Sequence, residues 1–273
     1  MSVSALFPLA GIFTLIGAAL IWASALRLRI PQALQLQVLT PLLVAISIVI
    51  TLLAFVDINP VTSKGINFTL AAGVAVATML VQGFYTLGVL RHGIHGLGLF
   101  LLPLTAIPLL LIPVLPNAHT PNWVLTTSIL ETGHLLVSLI AYAILTLAAI
   151  HAVMQLLLDR ALKRKQMNVL IQALPSLLEI DRHMFTQVRM ATWLIGISIM
   201  TGLSWQWIEF QHFALLNHKV LLALFSFGVL VVLLYKRRNA QWPGRIASRV
   251  TLTAYGLLLL AYFGVKLIDS WLY

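Results

Sequence analysis

The feature that most limits how this chain can fold is a series of apolar runs, each near the length needed to cross a bilayer and separated by short polar breaks. A helix rising 1.5 Å per residue needs roughly 20 apolar residues to cross a hydrocarbon core of about 30 Å. Eight runs are read, over residues 6–26, 38–55, 68–90, 97–115, 129–158, 188–205, 220–235 and 250–268. The chain is 60% hydrophobic and 9% charged, with a mean hydropathy of +1.00, which places it outside the range of soluble domains. The predicted class is all-α: a polytopic membrane helix bundle of about eight transmembrane helices, forming one domain over residues 1–273. The first run lacks a basic leader and a small-residue cleavage pattern, so it is expected to be a retained helix.

The net charge of +10 would suggest nucleic acid for a soluble protein, but here its placement matters more than its sum. Of the 17 basic residues, 14 fall in or beside alternate connections: Arg27, Arg29, Arg91, Arg160, Lys163, Arg164, Lys165, Arg182, Arg189, Lys236, Arg237, Arg238, Arg245 and Arg249. Lys64, Lys219 and Lys266 lie on the other side. Basic residues collect on the cytoplasmic side, so both termini are expected outside. Membrane lipid is the expected contact of most of these cations, and no nucleic-acid partner is expected.

Residues 159–187 form the longest cytoplasmic connection in this reading, with a basic cluster followed by Leu174, Leu177, Leu178, Phe185 and Val188 near helical spacing. A short helix lying on the membrane surface is predicted there, with Pro175 in its first turn. Pro103, Pro108 and Pro113 predict a kinked or broken fourth span. No linker, low-complexity tract or internal repeat interrupts the chain.

Cysteine is absent, so a metal or cofactor ligand must come from His, Met, Tyr, Asp or Glu. Ser128 and Glu131 have capping-box spacing, which starts the fifth helix at the outer surface and puts His134 about 9 Å inward. Ser138 and Tyr142 follow at i+4 and i+8 on the same face. That stripe lines a cavity, or else His134 is simply satisfied by a neighbouring hydroxyl or carbonyl. Asn217 is an N-cap residue type, making His218 the first residue of the seventh helix, where the dipole favours neutral imidazole. A histidine from each of two helices at one depth suits six-coordinate haem iron, and also other transition metals. Trp205 and Trp207, with Phe210 and Phe213, are either an interfacial aromatic belt or a shelf for a planar apolar ligand. His92, His95 and His183 are expected on the cytoplasmic side, and His119 and His212 in outer loops. His151, about 25 Å beyond His134 along the helix, is too distant to serve the same ion; it belongs to a second, inner site or, as preferred, hydrogen-bonds within the bundle.

Several segments resemble the cytochrome c assembly protein family, the haem-handling group that includes CcsA and CcmC, and within it most resemble the YpjD branch. They are GHLLVSLIAYAILTLAAIHA (133–152), LPSLLEIDRHMF (174–185), HKVLLALFSF (218–227), WPGRIASRV (242–250) and AYFGVK (261–266). The resemblance implies that His134 and His218 are axial ligands to haem near the outer leaflet, with Trp205, Trp207 and Tyr142 close to the porphyrin. It implies non-covalent b-type haem, a bacterial inner-membrane location, and other cytochrome c maturation proteins as partners. The competing readings are a transporter or membrane subunit of a transport complex, and an accessory protein docking through residues 160–165. Nothing resembles a hydrolytic triad, phosphate loop or metalloprotease helix, so no independent enzyme is expected.

Overall fold

The computed structural model describes residues 3–26, 38–59, 66–67, 69–92, 95–114, 123–124, 129–165, 168–211, 217–240 and 242–261. The helices are α1 (Val3–Ala25), α2 (Thr40–Ile58), α3 (Leu70–His92), α4 (Gly98–Leu111), α5 (Ile129–Lys163), α6 (Val169–Gln172), α7 (Leu177–Phe210), α8 (His218–Ala240) and α9 (Gly244–Leu259). Two-residue strands, Ile66–Asn67 and Trp123–Val124, are the extended structure among the described residues. Each of the eight expected spans meets a helix, the eighth only as far as Leu259, with residues 262–268 outside the described ones, so the protein is an all-helical polytopic membrane protein. Segments of α1, α2, α3, α5 and α8 are long and apolar enough to cross a membrane, and a shorter apolar helical stretch covers Gly98–Val114. Many large apolar side chains point outward, among them Leu42, Val49, Leu52, Leu53 and Val56 of α2. A surface of that kind is stable against lipid rather than water.

Contacts group the chain into two compact units: residues 1–62, 67–122 and 157–176, and residues 63–66, 123–156 and 177–273. In the first, α1 packs on α2 and α4 while α3 packs on α2 and α4. Phe7, Ala10, Ala54, Ala71, Ala75, Leu109 and Ile112 are fully buried there. Small residues let the helices approach: a β-carbon on Gly11 would lie 2.9 Å from Leu110 Cγ. Each helix also contributes one buried polar residue to a shared network. Thr14 Oγ1 donates to Ser47 Oγ (2.8 Å), Ser47 Oγ to Gln82 Oε1 (3.3 Å), and Gln82 Nε2 to Thr14 Oγ1 (3.0 Å) and Thr105 Oγ1 (3.4 Å). The amide and hydroxyl groups of this network are thus paired, which a hydrocarbon environment favours.

The proline-bearing helix is not broken: α4 is helical through Pro103 and Pro108 and tightens to a 3-10 turn at Ile112–Val114. The connection at 159–187 also differs from expectation. Residues 159–163 end α5, α6 is a single short turn, and residues 177–187 are the first three turns of α7 rather than a separate surface helix. Arg182 and Arg189 therefore lie within a helix. At 34 residues α7 runs about 51 Å, longer than a bilayer core.

In the second unit, the middle of α5 is buried on all sides, with Leu145, Ala148, Ala152 and Met154 fully enclosed. Here α7 and α9 both pack on α8. Ser226 Oγ donates to Ala254 O (2.8 Å), joining α8 to α9. At the end expected to face the cytoplasm, Arg237 of α8 donates to Asp181 Oδ2 of α7 (2.6 Å) and to Trp242 O (2.7 Å), and lies 4.5 Å over the Phe185 ring. Gln155 of α5 donates to Asp181 Oδ1 (2.9 Å) and accepts from Ser248 Oγ of α9 (2.7 Å). The cation thus meets a carboxylate, a carbonyl and a ring face, and four helices meet through these contacts.

Candidate functional site

At the opposite end of the second unit, α5, α7, α8 and α9 enclose a half-open apolar cleft of about 240 Å³. α5 begins at Ile129 with Glu131 in its first turn, as the capping pattern predicts, while Ser128 itself lies outside the described residues. His134, Ser138 and Tyr142 all line the cleft, so the expected i, i+4, i+8 stripe is one wall of it. α7 supplies Ser198, Gly202, Trp205 and Gln206, α8 supplies Lys219, Val220 and Ala223, and Leu258 and Ala261 close it.

Half-buried His134 is held by one carbonyl. Its Nδ1 is 2.8 Å from Ser198 O and 3.3 Å from Ser198 Oγ. A carbonyl only accepts, so the ring proton sits on Nδ1 and Nε2 keeps its lone pair. Among the described residues no hydrogen bond reaches Nε2. Ser138 Oγ donates to His134 O (2.5 Å) and meets Ser198 Oγ at 2.7 Å. Tyr142 Oη donates to Leu258 O (2.6 Å), which ties α5 to α9 and leaves the phenol's apolar ring toward the cleft. A helical glycine completes the seat. A β-carbon on Gly202 would lie 2.8 Å from His134 Cε1 and 2.9 Å from Nδ1, so the imidazole rests against the α7 backbone where no larger residue would leave room.

The structure brings His134, Tyr142 and Trp205 to one cleft, but His218 and Trp207 are not among its lining residues. Asn217 caps α8 as expected, its Oδ1 accepting from Lys219 N at 3.0 Å. His218 is therefore the first helical residue, exposed, and directly precedes Lys219 and Val220 of the cleft wall. Trp205 packs edge-on against Phe210 with ring centres 5.5 Å apart, while Trp207 is about half exposed. His151 is buried, with Nδ1 on Leu147 O (2.9 Å) and its ring 5.8 Å from that of His183. His119, His212 and Phe213 lie outside the described residues.

Sequence reading missed Ser198 and Gly202, which lie 64 and 68 residues beyond His134 and look like ordinary members of an apolar run. The available signal is a glycine inside a helix four residues after a serine, a pattern that lets a neighbouring side chain approach the backbone. It also left Lys219 as one of three cations on the less basic side without giving it a role.

Among the described residues, nine helices with long apolar stretches and sparsely polar interiors define a multi-span helical membrane protein. The chain belongs to the cytochrome C assembly protein family, whose model matches residues 10–272. It is 36% identical over 137 residues to an Azospirillum brasilense protein described only as an uncharacterized 28.8 kDa protein in the nifR3-like 5' region, covering 50% of this chain and 51% of that one. It is 29% identical over 156 residues to inner membrane protein YpjD of Escherichia coli strain K12, 57% of each. It is 26% identical over 141 residues to protein HemX of Brevibacillus brevis, 52% of each. The matched stretch thus spans about half the length of these relatives. No solved structure shows significant similarity to the chain.

Proposed function

We propose that this is a haem-handling protein of the bacterial inner membrane, holding non-covalent b-type haem near the outer leaflet and working beside other cytochrome c maturation proteins. His134 and His218 would hold its iron through their imidazoles. The observation that carries the reading is His134 itself: an imidazole oriented by the Ser198 carbonyl, seated on Gly202, with Nε2 unpartnered beside an apolar cleft. A histidine that only needed satisfying is served at Nδ1, but a ligand needs the other nitrogen free and the ring fixed, as here.

The donor chemistry fits a porphyrin better than a bare ion. No group of three or more His, Asp or Glu side chains converges as a metal site among the described residues. Iron in a porphyrin already carries its equatorial nitrogens and needs only axial donors. The lining is mostly apolar and includes the aromatic side chains of Trp205 and Tyr142. At about 240 Å³ the cleft is near the lower end of small-molecule pockets, roughly 300 Å³, so it seats part of a macrocycle and leaves the rest accessible. That suits a protein that passes its ligand on. His218, adjacent to the cleft wall, is assigned the second position, and the inner-membrane name of the YpjD relative supports the location. Haem when bound supplies the iron and its redox chemistry; the chain supplies orientation, an apolar seat and a fixed tautomer.

The test is the absorption spectrum of the purified variants. His134→Ala should lose the haem Soret band or lower its occupancy severely, and His218→Ala should convert a low-spin spectrum to a high-spin one. Spectra identical to wild type in both variants would remove the ligand assignment.

A further inference from the structure

We infer that Lys219 recognises a carboxylate of the ligand that His134 holds, so that the cleft selects a porphyrin bearing free carboxylates over its esters. This rests on the haem reading above and specifies which chemistry at the macrocycle's edge the protein reads. Lys219 lines the same cleft as His134 and is the cation in its wall. Among the described residues it is in no ion pair, unlike Lys163 with Asp159 and Arg237 with Asp181. Apart from His134 Nε2, the other polar side chains of the wall have partners: Tyr142 holds Leu258 O, Ser138 and Ser198 hold each other, and Gln206 has an interaction of its own.

Lys219 is exposed, and two features of its position set it apart from the other cations. Lys219 is the second residue of α8, its backbone N–H bound by the Asn217 cap, where the helix dipole is positive and repels a cation. It also lies on the side where 3 of the 17 basic residues are expected, against the charge pattern that sets the topology. A carboxylate at the cleft mouth offsets the first, because it is attracted by the ammonium and by the amide end of the helix together. The apolar wall, imidazole nitrogen and edge cation then match the face, metal and carboxylate of one amphiphilic ligand.

The experiment is an absorbance titration of the full chain, in lipid nanodiscs, with ferric haem and with its dimethyl ester, for wild type, Lys219→Gln and Lys219→Arg. The preference for haem over ester, compared between proteins, cancels the ester's own partitioning into lipid. Wild type should prefer haem by about tenfold, the size of one charge-assisted hydrogen bond. Lys219→Gln should abolish the preference while leaving ester affinity unchanged, and Lys219→Arg should retain most of it. An equal preference in wild type and Lys219→Gln would overturn the inference and leave Lys219 to lipid headgroups. Wild type that binds haem through His134 but does not discriminate against the ester overturns the carboxylate role alone. Wild type that binds neither compound overturns the haem reading, and this inference with it.

Discussion

His134 owes its orientation to two backbone features of α7, the Ser198 carbonyl and the bare Cα of Gly202. Gly202→Ala places a methyl against the ring with backbone behind it, so the imidazole must move away from Ser198 O. An overpacking cost of about 1–3 kcal/mol is expected, with haem affinity falling about tenfold or more. Gly133→Ala, where a β-carbon meets nothing within 4 Å, is the matched control and should leave binding unchanged. The check is haem titration of both variants. Equal affinity for the two would show that Gly202 does not seat the ring. The stripe on α5 was legible because His134, Ser138 and Tyr142 share a helix and local periodicity puts them on one face. Ser198 and Gly202 were not, because a contact across 64 or 68 residues leaves no periodic trace.

At the level of elements, local apolar spacing reads Leu177, Phe185 and Val188 as a surface helix, yet they begin α7. The deciding contacts are distant: Asp181 meets Arg237, 56 positions later, and Gln155, 26 positions earlier. With the carboxylate paired, the helix continues through its polar turns. Asp181→Asn should destabilise the fold by about 2 kcal/mol, since Arg237 loses its charged acceptor while keeping Trp242 O and the Phe185 ring. A double-mutant cycle with Arg237→Gln, read by unfolding in detergent, should show coupling of about 1 kcal/mol or more; strictly additive losses would contradict a working pair. The Gln82 network should respond more weakly. Thr14 and Thr105 only accept from the amide and keep their own bonds to Ala10 O and Leu101 O, and Ser47 Oγ, which loses its acceptor, can donate to Thr14 Oγ1 instead, so Gln82→Leu should cost about 1 kcal/mol or less. A loss of several kcal/mol would mean that the amide organises the four helices.

Across the whole molecule, the approximate positions of the long helices were legible, though not the short turn at Val169–Gln172, because hydrocarbon thickness and backbone satisfaction leave few alternatives. Helix ends were less so: α5, α7 and α8 all run past the apolar stretch into polar turns, where charge rather than hydropathy fixes the boundary. The orientation rests on the basic residues and is open to direct test, since the chain has no cysteine to mask. Single cysteines at Asn117 or Gln211 should label from outside intact cells, and those at Lys165 or Asn239 only after permeabilisation. The reverse pattern would invert the protein and put the His134 cleft on the cytoplasmic side. Of the candidate site, one wall could be read from sequence, and the relation of His218 to it could not, because its helix start faces the cleft through Lys219 and Val220. The most direct test of the account is the oxidised and dithionite-reduced absorption spectrum of the purified wild-type protein, expressed with added haem and quantified as pyridine haemochrome. The account predicts about one b-type haem per chain with a low-spin, bis-histidine spectrum. A colourless protein that takes up no added haem would contradict it.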